Sequence, residues 1–256
     1  MQKHYIVQIS DTHLFGDKNR KINGANSYLN LKNVLNHISA LNEKPDLIVV
    51  SGDLSQDCTF ESYQHLANLL NKIGIKYYFF PGNHDDVDVI NKVVDQSWIR
   101  NEVDYTFNFN GWHFYVIDTS IYPEDGGKLT KEQLQKLGND LKKHENTPSV
   151  IFMHHHPVEI NSPWMDQMIL KESKEFNEVV KQNKNVKAVL FGHIHQVFEK
   201  TIDGVFYGSA PSTSFQVVPN TQMFTVENIN PGYRFIELNR DNGDKGDKFS
   251  SKVIRI

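Results

Sequence analysis

Cysteine is almost absent from this chain of 256 residues, in which Cys58 is the single example. A disulfide framework or a thiolate zinc cluster needs several cysteines, so both classes of protein are excluded. Cys58 stands between Asp57 and Thr59, just before a helical pattern, and this position favours a packed, non-catalytic side chain over a reactive thiol. The low cysteine content also predicts a reducing, cytoplasmic location.

Long apolar runs and an excess of positive charge are missing as well. No stretch approaches the roughly eighteen unbroken apolar residues of a membrane span, and no signal-like segment precedes the first strand pattern, so neither an anchor nor a secretory signal is expected. The net charge of −4 gives no electrostatic reason to expect binding to nucleic acid or to an anionic membrane. With 39% hydrophobic and 23% charged residues, we expect a soluble globular protein.

Apolar strand patterns alternate with amphipathic helical patterns through the first three quarters of the chain. This βαβ order predicts an α/β fold with a largely parallel sheet and helices packed against it. The predicted core strands are residues 5–9, 47–50, 77–80, 150–152 and 186–191.

The last quarter of the chain has a different pattern. After Gly208 there are short β-type runs and no helical pattern. The turn signals Asn110-Gly111 and Asp203-Gly204 each lie between two β-type runs and predict hairpins. We therefore expect one domain over residues 1–256, in which residues 197–256 supply mostly β-strands of a second sheet.

Each of the five core strand patterns runs directly into polar residues that can bind a metal ion. In open α/β sheets, ligands bind at the carboxyl ends of the strands, so these side chains are expected to meet in one crevice. Glycines before three of the groups permit sharp turns and a close approach of the backbone. The candidate residues are, in chain order, Asp11 and His13; Asp53; Asn83 and His84; His154; and His193 and His195.

The twelve histidines, many beside carboxylates, predict coordination by nitrogen and oxygen. Such ligands suit Mn, Fe, Co or Zn better than copper(I) or calcium. They outnumber the ligands of one tetrahedral zinc, and a second ion with a shared carboxylate accounts for the surplus. Two ions roughly 3.5–4 Å apart can activate a shared hydroxide and hold phosphoryl oxygens. Several groups alone also have a structural explanation. Asp11 could cap a turn, Asn83-His84-Asp85 could open a helix, and His193 and His195 could lie on an edge strand without binding a metal.

In these residues the sequence resembles the calcineurin-like metallophosphoesterase superfamily. The resemblance implies a four-layer α/β/β/α sandwich of two mixed β-sheets flanked by helices. The signature D-x-H, G-D, G-N-H-D, strand-end H and G-H-x-H occurs here as Asp11-Thr12-His13, Gly52-Asp53, Gly82-Asn83-His84-Asp85, His154 and Gly192-His193-Ile194-His195.

Further segments resemble the bacterial cyclic 3′,5′-AMP phosphodiesterase branch of that superfamily. They cover nearly the whole chain but are less specific than the metal motifs, and Trp164 among them could be a core or lid aromatic or a platform for a base. They are His13-Leu14-Phe15 with Gly24 and Asn26, Gly127-Lys128-Leu129, Trp164-Met165-Asp166, Pro211-Ser212-Thr213, Phe215-Gln216 and Pro231-Gly232-Tyr233-Arg234.

The resemblance also implies a role for each candidate. One metal would be held by Asp11, His13 and His195. The other would be held by Asn83, His154 and His193. Asp53 would bridge the two ions and, with His84, form the catalytic pair. His84 would donate to a phosphoryl oxygen or protonate the leaving alkoxide. The expected substrate contacts are Asn83, His84 and His156. Within the triplet His154-His155-His156 the position directly after the strand favours His154 as the ligand, and residues 155 and 156 are expected either to support the ligands from behind or to contact the substrate.

The leading hypothesis is hydrolysis of cyclic 3′,5′-AMP to 5′-AMP by a hydroxide that bridges two divalent metal ions. Manganese or iron is expected, and zinc, cobalt and nickel stay open. The expected partner is a small phosphodiester or cyclic nucleotide, with no nucleic acid and no membrane, and a homodimer is an open alternative. The same centre could instead act on glycerophosphodiesters, other nucleotides or phosphomonoesters. A non-catalytic scaffold of the same fold is disfavoured because every ligand position is filled.

Overall fold

The computed structural model describes residues 3–93, 104–121, 124–240 and 246–256. Its helices are α1 (Ser27–Ala40), α2 (Phe60–Ile73), α3 (Val87–Val93), α4 (Lys131–Lys143) and α5 (Ser173–Gln182), with a 3₁₀ turn at Asp166–Met168. Its strands are β1 (Lys3–Ile9), β2 (Leu47–Ser51), β3 (Tyr77–Phe80), β4 (Asp104–Phe109), β5 (Trp112–Ile117), β6 (Ser149–Phe152), β7 (Val186–Phe191), β8 (Glu199–Ile202), β9 (Val205–Ser209), β10 (Gln216–Val217), β11 (Val226–Glu227), β12 (Gly232–Asn239) and β13 (Lys248–Arg255).

The strands form two large sheets. The first has the order β13-β12-β1-β2-β3, the second has the order β4-β5-β6-β7-β9-β8, and β10 pairs with β11 as a small separate ribbon. Parallel pairs run from β1 to β3 and from β5 through β6 and β7 to β9, whereas the outer pairs are antiparallel. Both sheets are therefore mixed, as the resemblance implies.

Alternating side chains place each sheet between two apolar layers. In β2, Ile48 and Val50 pack with helices α1, α2 and α3, whereas Leu47 and Val49 meet the second sheet. In the second sheet, Ile151 of β6 faces helices α4 and α5. The order of layers is thus α/β/β/α, and the predicted fold class is confirmed.

Helix α2, which follows the loop after β2, begins and ends at residues suited to those positions. Thr59 accepts a hydrogen bond from the Ser62 N–H in the first turn. Gly74 ends the helix in the left-handed conformation, with φ of 70°. Tyr63 and Leu66 lie on its buried face. Among the described residues, no helix has both the length and the apolarity to cross a bilayer.

Both predicted hairpins are confirmed. Asn110 and Gly111 have φ of 50° and 80°, and Asp203 and Gly204 have φ of 51° and 84°. Two successive residues with positive φ form the tight turn whose twist matches that of paired strands. These turns join β4 to β5 and β8 to β9.

The last two strands correct the expectation for the C-terminal part. β8 and β9 extend the second sheet, but β12 pairs with β1 and β13 pairs with β12, so both belong to the first sheet. The expectation that residues 197–256 supply mostly the second sheet is therefore wrong for β12 and β13. The physical reason is that pairing is long-range: Ile6 lies opposite Ile236, and no local pattern identifies that partner. The single domain stays a prediction.

Candidate metal centre

The carboxyl ends of strands from both sheets meet at one edge of the sandwich. The backbone N–H of His193, after β7, donates to Asp11 Oδ1, after β1, at 3.0 Å. The ring of His154, after β6, donates to the carbonyl oxygen of Ser51, at the end of β2, at 2.8 Å. The side chains that the sequence predicts to converge therefore do so, although their strands are divided between two sheets.

Two groups of potential metal ligands form at this edge, and Asp53 belongs to both. Within each group the ligand atoms lie within 4.8 Å of one another, and every side chain is buried. The first group is Asp11, His13, Asp53 and His195, and the second is Asp53, His154 and His193. Asn83 joins the second group, because its Oδ1 lies 3.2 Å from His154 Nε2.

His154 shows why a cation fits the second group. The carbonyl of Ser51 can only accept a hydrogen bond, so Nδ1 of His154 carries a proton and Nε2 of the neutral ring has a free lone pair. Nε2 faces oxygen atoms of Asp53 and Asn83, each at 3.2 Å. Burial lowers the pKa of His154, but the Asp53 carboxylate outweighs this and raises the pKa to about 9. Positive charge is therefore stabilised among these atoms.

His195 likewise directs the lone pair of its Nε2 into the first group. Its Nδ1 donates to the carbonyl of Phe215 at 3.0 Å, so its Nε2 presents a lone pair to His13 Nε2 at 2.9 Å and to Asp11 Oδ1 at 3.5 Å. The buried atoms His13 Nδ1 and Asp11 Oδ2 have no hydrogen-bond partner within the described residues. Burial lowers the pKa of His13, which favours the neutral ring that metals bind.

Asp53 directs one oxygen at each group. Its Oδ1 lies 3.2 Å from His154 Nε2 and its Oδ2 lies 3.5 Å from His13 Nε2. Burial alone would raise the pKa of this carboxyl, but the His154, His13 and His84 rings hold it well below its usual range. An ionised carboxylate in this position faces both ligand groups at once.

The donor set fits divalent metal ions. Imidazole nitrogens and carboxylate oxygens are gathered in a buried space, and His193 Nε2 adds a further buried ring nitrogen without a partner in the described chain. Facing lone pairs are unfavourable in a low-dielectric interior unless a cation lies among them.

Backbone strain is concentrated at these same residues. A left-handed backbone is unfavourable for residues with a side chain, and such strain clusters at functional sites. The candidate ligands in this conformation are Asp11 (φ 52°), His13 (42°), Asp53 (50°), His193 (69°) and His195 (51°). Glycine is needed beside them at two close contacts: a Cβ on Gly52 would overlap the His154 ring, and a Cβ on Gly82 would overlap Asp53.

Asp85 holds two of the loops together. The sequence places it in the motif but assigns it no role. Its carboxylate accepts from the backbone N–H groups of Leu54, Ser55 and Gly82 at 2.8–3.1 Å. Burial, and then the nearby Asp53 charge, raise the pKa of Asp85 to about 7. The Asp53 loop and the Asn83 loop are thereby fixed relative to each other.

A cleft of about 340 Å³ opens above the ligands. His84 lines it beside Asn83 and Asp53, on the loop after β3. The backbone N–H of His84 donates to Asp53 Oδ1 at 3.0 Å. Gln56, which the sequence did not single out, also lines the cleft, and its Nε2 lies 3.4 Å from His84 Nδ1.

Neither His155 nor His156 lines the cleft. The two ring nitrogens of His155 contact Thr119 Oγ1 at 2.8 Å and the Asp125 carbonyl at 3.2 Å. His155 is therefore already satisfied, and of the triplet it is His154 that belongs to a group of potential metal ligands among the described residues.

The position of His156 bears on two expectations from the sequence, a substrate contact and the support of a ligand. Its side chain is fully buried, its ring stacks 5.8 Å from that of His193, and its Nε2 lies 3.5 Å from Asp166 Oδ1. It does not line the cleft, which favours the alternative expectation that it supports a ligand from behind; the substrate contact stays a prediction. The strand-end turn directs this ring behind His193, where it packs against a candidate ligand.

The chain belongs to the calcineurin-like phosphoesterase family, which matches residues 4–197. The family and the buried His–Asp cluster together support the binding of divalent metal ions. The chain is 33% identical to a 3′,5′-cyclic-nucleotide phosphodiesterase from Nostoc sp. over 98% of this chain and 92% of that protein. It is 32% identical to the 3′,5′-cyclic adenosine monophosphate phosphodiesterase CpdA of Haemophilus influenzae, over 92% of this chain and 86% of that protein.

Solved structures show the same fold at much lower sequence identity. A dimetal phosphatase from Danio rerio superposes with a TM-score of 0.66 at 13% identity and covers 98% of both chains. GAP50, the anchor in the inner membrane complex of Plasmodium, gives the same TM-score and identity over 99% of this chain and 84% of its own. These likenesses support the architecture alone.

Proposed function

We propose that this protein is a dinuclear metal-dependent phosphodiesterase that hydrolyses cyclic 3′,5′-AMP to 5′-AMP. The observation that carries the proposal is the position of Asp53, with one carboxylate oxygen directed at each of two buried ligand groups below an open cleft. The choice of a cyclic nucleotide is supported by the names of the relatives from Nostoc and Haemophilus.

In this proposal Asp53 is the shared ligand of two ions. Bound ions of this kind supply Lewis acidity and lower the pKa of water. Nitrogen and oxygen donors make manganese or iron the metals that we expect, with zinc, cobalt and nickel as alternatives. The remaining ligands of one ion would be Asp11, His13 and His195, and those of the other would be Asn83, His154 and His193.

His84 is the proposed proton donor to the leaving oxygen. Nδ1 of His84 faces Gln56, so Nε2 is the ring nitrogen left for the substrate. A protonated His84 ring would donate from Nε2 to the 3′ oxygen of the ribose as the bond from phosphorus to that oxygen breaks, and the ring would become neutral. The bond from the His84 N–H to Asp53 keeps the ring beside the ligands.

A substrate panel tests this function. Purified protein loaded with manganese is assayed with cyclic 3′,5′-AMP, a glycerophosphodiester and 4-nitrophenyl phosphate, alongside Asp53→Asn. We expect the cyclic nucleotide to give the highest kcat/KM and Asp53→Asn to lose roughly a thousandfold or more of it. Asp140→Asn, which changes a carboxylate in a different His–Asp group, serves as the matched control and should keep its activity.

Two results would contradict the proposal. A monoester turned over faster than either diester would remove the diesterase assignment. Full activity in Asp53→Asn would show that Asp53 is not a shared ligand of the two ions. The cytoplasmic location, the absence of nucleic-acid and membrane partners, and the homodimer remain predictions of the sequence.

A further inference from the structure

Two chemically different groups of side chains line the cleft above the ligands. Asn83 and His84 are polar, whereas Trp164, Phe215 and Phe224 are aromatic. We call these three aromatic side chains the aromatic wall. A cavity of about 340 Å³ lined by both kinds of group suits a small ligand that has a polar part and a flat part.

The aromatic wall begins directly beside a candidate ligand. The ring of Phe215 lies 4.3 Å from that of His195, and the ring of Phe224 lies 6.2 Å from that of Phe215. Two ring contacts therefore lead from the ligand groups to Phe224. In a nucleotide, one ribose ring separates the phosphate from the base, so a phosphate near His195 would bring the base close to Phe224.

Two chain segments build the wall and are joined by hydrogen bonds. The N–H of Asn220, in the turn between β10 and β11, donates to Ser162 Oγ at 3.0 Å, two residues before Trp164. The N–H of Val217 donates to the His195 carbonyl at 3.0 Å, which anchors the same ribbon to the ligand loop. These hydrogen bonds hold the aromatic wall in a fixed position relative to the ligand groups.

The side chain of Phe224 is half-exposed. It is 48% exposed although its ring meets Trp164 edge-to-face at 5.4 Å and 89°. A half-exposed ring that lines the cleft and is held by aromatic neighbours can offer a surface on which a base stacks.

We infer that Phe224, supported by Trp164, binds the nucleobase of the substrate and so determines the preference for nucleotides over simpler phosphoesters. This inference rests on the proposed function and adds a specificity-determining residue to it. Trp164, which the sequence left as either a lid aromatic or a base platform, takes the supporting position.

The test compares two competitive inhibitors that differ only by the base. Inhibition constants of 5′-AMP and ribose 5-phosphate are measured against hydrolysis of bis(4-nitrophenyl) phosphate, with the manganese-loaded protein. In the wild type, 5′-AMP should bind about tenfold more tightly or better, which is the contribution typical of one stacked base. In Phe224→Ala, the preference for 5′-AMP over ribose 5-phosphate should fall about tenfold, because 5′-AMP binds more weakly while ribose 5-phosphate binds as before. Phe224→Tyr should keep the wild-type preference. Met223→Ala, at the more exposed neighbouring position, is the matched control.

A binding measurement gives a readout that does not depend on hydrolysis. Adding 5′-AMP should quench tryptophan fluorescence in the wild type, ribose 5-phosphate should not, and Trp164→Phe should lose the quench. Equal inhibition of the wild type by both compounds would overturn the inference. An equal loss of affinity for both compounds in Phe224→Ala would overturn it as well. Failure of the wild type to hydrolyse cyclic 3′,5′-AMP would count against the proposed function alone, because the inhibitor ratio is measured with a different substrate.

Discussion

Two His–Asp groups lie at different places in the sandwich, and they differ in what their nitrogen atoms face. His113, at the start of β5, contacts Asn108 Oδ1 at 3.0 Å and Asp140 Oδ2 at 2.5 Å, and stacks on His144 at 3.8 Å. Both of its ring nitrogens have partners. At the carboxyl ends of the strands, by contrast, His193 Nε2 and His13 Nδ1 are buried and have no partner in the described chain.

This difference shows that residue types and distances alone do not define a metal centre. Both regions gather histidines and carboxylates with ligand atoms within 4.8 Å of one another. The group of His113, Asp140 and His144, which we call the distal group, is explained by hydrogen bonds and an ion pair. The site of Asp53 has facing lone pairs and strained backbone, which a bound cation would stabilise. The first three variants below alter the Asp53 site and use the distal group as the reference.

The largest effect is expected for His84→Asn. Loss of the proposed proton donor should lower kcat for cyclic 3′,5′-AMP by about 10²–10⁴-fold, the usual contribution of general acid catalysis. His144→Asn in the distal group should leave kcat near the wild-type value. Steady-state kinetics measures both, and an unchanged kcat in His84→Asn would show that the ring takes no part in the chemical step.

The second effect concerns stability. Asp85→Ala leaves the N–H groups of Leu54, Ser55 and Gly82 without their acceptor. Each buried donor left unsatisfied costs about 1–3 kcal/mol, so we expect the free energy of unfolding to fall by about 3 kcal/mol or more. Urea denaturation measures this change. In Asp140→Ala, which removes a partly exposed carboxylate, the free energy of unfolding should fall by less. A larger fall in Asp140→Ala than in Asp85→Ala would show that Asp85 does not hold the two loops together.

The third effect is metal-dependent stabilisation. Manganese at about one hundred times its dissociation constant should add about 2.7 kcal/mol to the wild-type protein, and chelation should remove it. His195→Ala should lose most of this increment, whereas His144→Ala should keep it. Thermal unfolding with and without a chelator measures this increment in each variant. Equal increments in the two variants would mean that His195 is not a ligand.

The smallest effect lies outside both regions. Burial raises the pKa of Tyr207 to about 12 from 10.0, and its hydroxyl donates to Asn177 at 2.8 Å. Because the folded protein holds this proton more tightly, the contribution of Tyr207 is full below pH 10 and is lost as the pH rises toward 12. Tyr207→Phe should therefore show a shallower decline in the free energy of unfolding over that range. A decline identical to that of the wild type would exclude Tyr207 as its source.

The sequence predicted the ligand groups because each follows its own strand. Strand, turn and ligand are adjacent in the chain, so local periodicity places Asp11, Asp53 and His154 at strand ends whatever the pairing of the strands. The division of those strands between two sheets depends on contacts such as Ile6 with Ile236, which periodicity does not encode.

Residues around the ligands were harder to predict. The position of His156 in the triplet was compatible with a substrate contact or with the support of a ligand, because the direction of a side chain after a strand end depends on the turn, and this one packs behind His193. Gln56 and Phe224 carry no motif of their own. They reach the cleft only because the Asp53 loop and the β10–β11 ribbon fold over it.

The most direct test of the account is anomalous diffraction from crystals of this protein grown with manganese. We expect two peaks, one among Asp11, His13 and His195 and one among Asn83, His154 and His193, with Asp53 in contact with both and no peak at the distal group. A single peak, or a peak at His113 and Asp140 with none beside Asp53, would contradict the proposed centre.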